Sequence, residues 1–264
     1  MNREKILVTV SGGRTSAYLA IKMHREYQDR YDMRFVYANT GQEHEETLKF
    51  INKLQIKMGL PIIWIEAKVN PEKGKGTKYK IVDFKSASRK GEPFEEVIKK
   101  YGLPNKHFLH CTRELKQNPI SALMVDFGIS IRTLGIRTDE LRRYRPSPTH
   151  LYPLIELFPT DKKKILKWWS KQSFDLNIPE HLGNCITCYK KSDVKLQKIV
   201  EESPKSFNFF AKMEKKYGDG KRIIFRGNRT TQDILNGKTT IEGLDDCGAE
   251  ECGTVFIPTE EKRG

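Results

Sequence analysis

The stretch KILVTVSGGRTSAYLAIK, residues 5–22, constrains the fold more than any other: a β-branched apolar run stops at Ser11-Gly12-Gly13 and the chain restarts with helical spacing. Ile6, Leu7, Val8 and Val10 suit a buried strand, and Tyr18, Leu19 and Ile21 with small residues between them suit a packed helix. The paired glycines must make the turn. A strand, a tight turn and a helix are the opening of a βαβ unit.

The alternation continues. MRFVYAN (33–39) reads as a second strand, EETLKFINKLQIKMG as a helix ending at Gly59, and PIIWIEA (61–67) as a third strand. Residues 68–91 are basic and lack a period, which fits either a mobile substrate-side loop or a solvated insertion. PFEEVIKKYG gives a short helix, Thr112 to Phe127 a longer one bent or interrupted at Pro119, and ISIRTLGIR (129–137) a fourth strand. From YPLIEL onward the pattern is helical, over Asp161–Ser170, Ser192–Glu202 and Phe207–Tyr217, with Trp168 and Trp169 read as core. The expectation is an α/β fold, a doubly wound and mainly parallel sheet over residues 1–150. A helical C-terminal region, 151–264, carries a C-x-x-C and completes the site rather than forming an independent domain.

Charge narrows the partners. Lys and Arg number 48 against 34 Asp and Glu, a net charge of +14, which favours an anionic partner such as a nucleotide, a sulfate ester or a nucleic acid. No apolar run approaches the roughly 18 to 20 residues that span a bilayer, and MNREK leads into a strand rather than a signal-peptide core, so a cytoplasmic protein with no membrane partner is expected. Five cysteines, two of them in a C-x-x-C, fit metal or redox chemistry better than a disulfide framework.

A strand running through Ser-Gly-Gly into a helix aims backbone N–H groups at an anion at the positive end of the helix dipole. Ser11, Thr15 and Ser16 add hydroxyls and Arg14 adds charge; the spacing matches neither the Walker loop nor G-x-G-x-x-G, and GKGT at 74–77 has no strand before it.

The order of motifs resembles the phosphoadenosine phosphosulfate (PAPS) reductase branch of the adenine-nucleotide α-hydrolases. SGGRTS is similar to the S-G-G-x-x-S pyrophosphate loop, and YANTGQEHEETLKFI to the second-strand box, with Asn39 where an Asp is usual. CTRELKQNP is similar to the Cys-containing K-x-x-P segment and LGIRTDELRRY to the G-x-R-x-x-E-x-x-R box, and YPLIEL and GNCITC follow in the family's order. The resemblance implies an adenine-nucleotide site made by Ser11, Gly12, Gly13, Arg14, Thr15, Ser16, Asn39, Thr40, Gly41, Arg137, Arg142 and Arg143, with Glu140 orienting an arginine. Magnesium would accompany a triphosphate.

Cys185 and Cys188 can share one metal and Cys111 can complete a three-thiolate face, on zinc or an iron–sulfur cluster. The resemblance implies a 4Fe–4S cluster in preference to zinc, with His110, Cys247, Cys252 or no residue as fourth ligand. Two enzyme readings follow, with Cys252, Arg137 and Cys111 as candidate catalytic residues. In the first, ATP adenylates an acceptor, a nucleic acid or a small molecule, and sulfur from a donor displaces AMP. In the second, a PAPS-type reductase drawing on a thioredoxin-like reductant, Cys252 attacks sulfate sulfur. Glu251-Cys252-Gly253 matches only the start of that family's C-terminal signature, and the neighbouring Glu250 and Glu251 disfavour a thiolate. A non-catalytic nucleotide-binding regulator is the third reading, and an oligomer is left open.

Overall fold

A computed structural model describes residues 3–72, 74–220 and 223–239. The chain runs β1 (Glu4–Val10), α1 (Arg14–Glu26), β2 (Tyr31–Asn39), α2 (Glu45–Met58), β3 (Ile62–Lys68), β4 (Lys78–Val82) and α3 (Glu92–Tyr101). It continues with α4 (His110–Thr112), a wide π-type turn (Arg113–Gln117), α5 (Asn118–Asp126), β5 (Ile131–Thr133), β6 (His150–Leu151) and α6 (Pro153–Glu156). Helices α7 (Lys162–Trp169), α8 (Asp193–Glu202), α9 (Asn208–Tyr217) and α10 (Thr231–Leu235) complete the described elements.

The six strands form one sheet in the order β4-β3-β2-β1-β5-β6, parallel except for β4 on β3. Strand β1 lies inside it, and alternate residues serve opposite faces: Ile6 and Val8 pack with α1 and α2, while Leu7 packs with Leu123 of α5. Both faces are covered, which is why the strand reads as a nearly unbroken apolar run. The chain winds from β1 through β2 to β3 on one side and places β5 on the other, so the sheet has its topological switch beside β1.

The described residues after 150 fill two cores. Leu154, Ile165, Trp169, Phe174, Leu176 and Ile178 join the cluster under α1 and α2. Tyr189, Leu196, Ile199, Phe207, Phe210 and Met213 pack with Phe94, Val97 and Leu115 in the other. Trp169 is core, 1% exposed, and its indole N–H donates to the Arg14 carbonyl at 3.0 Å.

Three elements depart from the sequence reading. Residues 68–91 contain β4, an antiparallel edge strand; with one neighbour only, it leaves Ile81 64% exposed and shows no burial alternation to read. The fourth parallel strand is three residues long rather than nine, since its ladder reaches only Ile6 and Leu7 of β1 and the two residues of β6. The helix expected over 112–127 is two helices separated by the wide turn, with Pro119 in the first turn of the second. Among the described residues no helix is long and apolar enough to cross a membrane.

Candidate functional site

A cavity of about 310 Å³ opens at the switch point, against the carboxyl ends of β1 and β5. Its floor is the Ser-Gly-Gly turn. Gly12 sits at φ +84°, and a Cβ there would lie 2.5 Å from Thr47 Cγ2, so glycine is required both by conformation and by space. Gly13, at φ −95°, precedes α1 with no side-chain cap, which leaves the first N–H groups of a thirteen-residue helix aimed past it. Ser16 is turned inward: its hydroxyl accepts from the Ser11 N–H at 3.0 Å and lies 3.0 Å from both Ser11 Oγ and the Gly13 carbonyl. It therefore fixes the loop's shape.

The arginines divide. Arg137, 5% exposed, is gripped by Asp139 (3.0 Å) and reaches Thr15 Oγ1 at 3.2 Å in the cavity wall. Arg143 also lines the cavity; one of its nitrogens donates to Glu140, while Nε and Nη2 are buried without a hydrogen-bond partner among the described residues. Two buried guanidinium donors left unpaired are costly unless an anion completes them. Arg14, expected on the phosphate, lines the cavity, and its guanidinium donates to Asp175 Oδ1 (2.7 Å) and the Leu176 carbonyl, tying the C-terminal region to the loop. Arg142, expected beside it, is exposed and lies outside the cavity lining.

Asn39, Thr40 and Gly41, expected around the nucleotide, are not in that lining either. Asn39 is fully buried and donates to Glu66 (2.7 Å) and the Ser88 carbonyl (2.9 Å), pinning the 84–91 segment onto the sheet. Gly41, at φ +78°, abuts Gly91, where a Cβ would come within 3.0 Å of backbone. Thr40 gives its N–H to Glu43 (3.0 Å), shares its hydroxyl with the same carboxylate, and stands 3.4 Å from Cys185 Sγ.

Cys111, Cys185 and Cys188 line one second, small cavity of about 20 Å³ with Thr40, Lys116 and Tyr189. Cys111 Sγ is 3.4 Å from the Tyr189 hydroxyl. The thiol set is right in kind for zinc or a cluster. The space is not: it holds about one water, and among the described residues no three His, Cys, Asp or Glu side chains stand close enough to hold a metal ion. His110 is absent from this lining; its Nε2 meets the Gly102 carbonyl at 2.9 Å. Cys247 and Cys252 lie outside the described residues. The three cysteines thus gather as the sequence predicts but do not form a metal centre as they stand, and no chemistry below is routed through one.

Three residues that the sequence reading passed over organise the junction. Lys116 lines both cavities, and its Nζ lies 3.9 Å from Glu43 Oε1. The signal was present, since Lys116 is the lysine of the K-x-x-P segment. Tyr37 is buried with its hydroxyl unpartnered among the described residues; burial pushes its phenol well above the ordinary range, and Glu43 and Cys185 push the same way. Tyr37 and Glu43 both lie in the second-strand stretch YANTGQE, but the box draws attention to Asn39, Thr40 and Gly41 rather than to them.

Comparison with known proteins places the chain in a family. Residues 5–149 match the phosphoadenosine phosphosulfate reductase domain, more than half of the chain. The chain belongs to that family. It is 39% identical over 196 residues, 72% of its own length and 67% of the other's, to an uncharacterized nin region protein of Escherichia phage lambda. An uncharacterized protein of Methanocaldococcus jannaschii is 22% identical over 241 residues, 84% of this chain, which spans half of that relative's length. Among solved structures, a PAPS reductase from Candida auris in its phosphate complex aligns at TM-score 0.41 and 12% identity, over 64% of this chain and 73% of that one. The U34-tRNA thiolase NcsA from Methanococcus maripaludis, with its 4Fe–4S cluster, aligns at TM-score 0.36 and 13% identity, over 97% and 80%.

Proposed function

We propose that the chain binds ATP or a related adenine nucleotide in the cavity at the switch point and uses it to adenylate an acceptor for sulfur transfer. The acceptor's oxygen attacks the α-phosphorus, pyrophosphate leaves, and a sulfur nucleophile then displaces AMP. The observation that carries this reading is Lys116, whose side chain lines both the nucleotide cavity and the cysteine cavity. Its ammonium neutralises charge developing on the phosphate while holding the acceptor against the thiols. The uncapped start of α1 and the two unpartnered Arg143 nitrogens supply the phosphate donors, and Arg137 shapes the wall that holds them. Magnesium bound with the triphosphate would share its charge.

A second reading rests on the family itself, whose description is a sulfonucleotide reductase domain. One experiment separates the two. Supply ATP with oligonucleotide and small-molecule acceptors, and separately PAPS with reduced thioredoxin, and follow AMP and pyrophosphate against sulfite. The sulfur-transfer reading expects AMP and pyrophosphate, unchanged in Cys252→Ser and lost in Lys116→Ala while ATP still binds. Sulfite from the wild type, lost in Cys252→Ser, would overturn it. Tight nucleotide binding with no product of either kind would leave a regulatory module.

A further inference from the structure

A third cavity, of about 330 Å³, adjoins the cysteines through the chain itself. Gly41, Gln42 and Ile186 line it, while the residues beside them, Thr40 and Cys185, line the cysteine cavity; the Ile186 N–H donates to the Gln42 carbonyl at 2.9 Å and fixes the two segments together. The wall carries four cations, Arg89, Lys90, Lys205 and Lys212, against two carboxylates. Both carboxylates are committed, Glu43 to Thr40 and Glu95 to Lys216 and Tyr217. Arg89 is paired with Glu45 at 2.8 Å. Lys90, Lys205 and Lys212 are exposed and make no ion pair or side-chain hydrogen bond among the described residues.

We infer that this cavity holds the sugar–phosphate backbone of a single-stranded nucleic acid whose base is presented to the cysteines, a deepening that rests on the sulfur-transfer reading. Two observations favour a strand over a lone phosphate. Lys205 and Lys212 are seven positions apart along a helical run, roughly 10 Å, on one face, a spacing suited to phosphates along a chain. The Phe209 ring also lines the cavity, half-buried against Phe94 and Phe210, on a seat that only Gly91 allows, because a Cβ there would overlap the ring. An aromatic face beside unpaired ammonium groups is the combination that takes an unstacked base and its phosphate together. The net charge of +14 draws the same ligand.

The test is fluorescence anisotropy with a short, mixed-sequence, fluorescein-labelled single strand in RNA and DNA forms, across a salt series. The variant is Lys90→Glu, Lys205→Glu and Lys212→Glu together. The control reverses Lys163, Lys171 and Lys198, which are exposed and line none of the three cavities. We expect the variant to lose about tenfold or more in affinity and the log–log salt slope to fall by about 2, at about 0.7 per phosphate contact, with the control changing less than about threefold. ATP affinity by calorimetry stays at the wild-type value in both. An equal loss in the control, an unchanged variant, or nucleoside monophosphate or polyglutamate competing as well as unlabelled strand would overturn the proposal. Binding is read without turnover, so failure of the sulfur-transfer reading shows as absent AMP with the strand still bound.

Discussion

Arg143 allows the sharpest test of the nucleotide site, because binding and stability respond to its removal in different ways. Its Nε and Nη2 are buried and unpartnered among the described residues, and its remaining bond goes to Glu140. A hydrogen bond to a charged group contributes about 1.5–3 kcal/mol, so two completed by a phosphate contribute about 3 kcal/mol or more. At about 1.4 kcal/mol per decade, Arg143→Ala should weaken ATP binding about 100-fold. In the protein without nucleotide the same change removes two desolvated donors, which relieves a cost, and deprives Glu140 of a partner, which adds one. These effects oppose, and the stability of the free protein should move by about 1 kcal/mol or less. Arg143→Lys should recover only part of the affinity, since an ammonium cannot offer two donors in a plane. Calorimetry gives the affinity. Thermal unfolding with ATP at about 100 times the wild-type Kd checks it, since the wild type should gain about 2.7 kcal/mol and the alanine variant only about 0.4 kcal/mol. Wild-type affinity in a folded Arg143→Ala protein would refute the reasoning, as would a large loss of free-protein stability with ATP binding untouched.

Two further outcomes follow from the same geometry. Gly12→Ala should destabilise the protein by about 1–3 kcal/mol in urea unfolding, because it combines positive φ with contact on Thr47, whereas Gly13→Ala meets nothing nearer than Ser11 Oγ at 4.0 Å and should stay within about 0.5 kcal/mol. Burial alone would raise the carboxyl of Glu114, but hydrogen bonds from Thr77, Arg113 and Asn118 hold it below its ordinary value. A depressed acid contributes stability at neutral pH that is lost as pH falls below about 4.3; Glu114→Gln should cost about 1–3 kcal/mol at pH 7 and flatten that acid limb in a pH series of unfolding curves.

What the sequence displayed and what it hid separate along physical lines. Strand β1, the turn and α1 were legible because a strand buried on both faces, two glycines and a small-residue helix leave few alternatives, and Gly59 ends α2 at φ +67° as a helix-stopping glycine should. The grouping of Cys111 with Cys185 and Cys188 came from motif order, not from spacing. Edge strand β4 was hidden because exposure on both faces removes the period that betrays a strand. The fates of Arg14 and Asn39 were hidden for another reason: each is set by a partner far along the chain, Asp175 in one case and Glu66 with Ser88 in the other. No local pattern encodes such a pairing.

The position of Lys116 joins these levels. Pro119 has no N–H, so the carbonyl four residues before it loses nothing when the helix opens, and the wide turn over Arg113–Gln117 falls immediately ahead of it. Such a turn rotates the residues before it relative to those after it. Cys111, just before it, lines the cysteine cavity; Ile120, beyond it, lines the switch-point cavity; and Lys116, within the turn, lines both. Glu114, also within it, is buried and bonded to Thr77, Arg113 and Asn118, which anchors the widened geometry from both sides. A regular helix carrying the same residues would swing Lys116 by a fraction of a turn and separate it from one cavity. Under the proposed sulfur-transfer reading, the link between the two cavities therefore depends on a backbone irregularity that a single proline makes inexpensive.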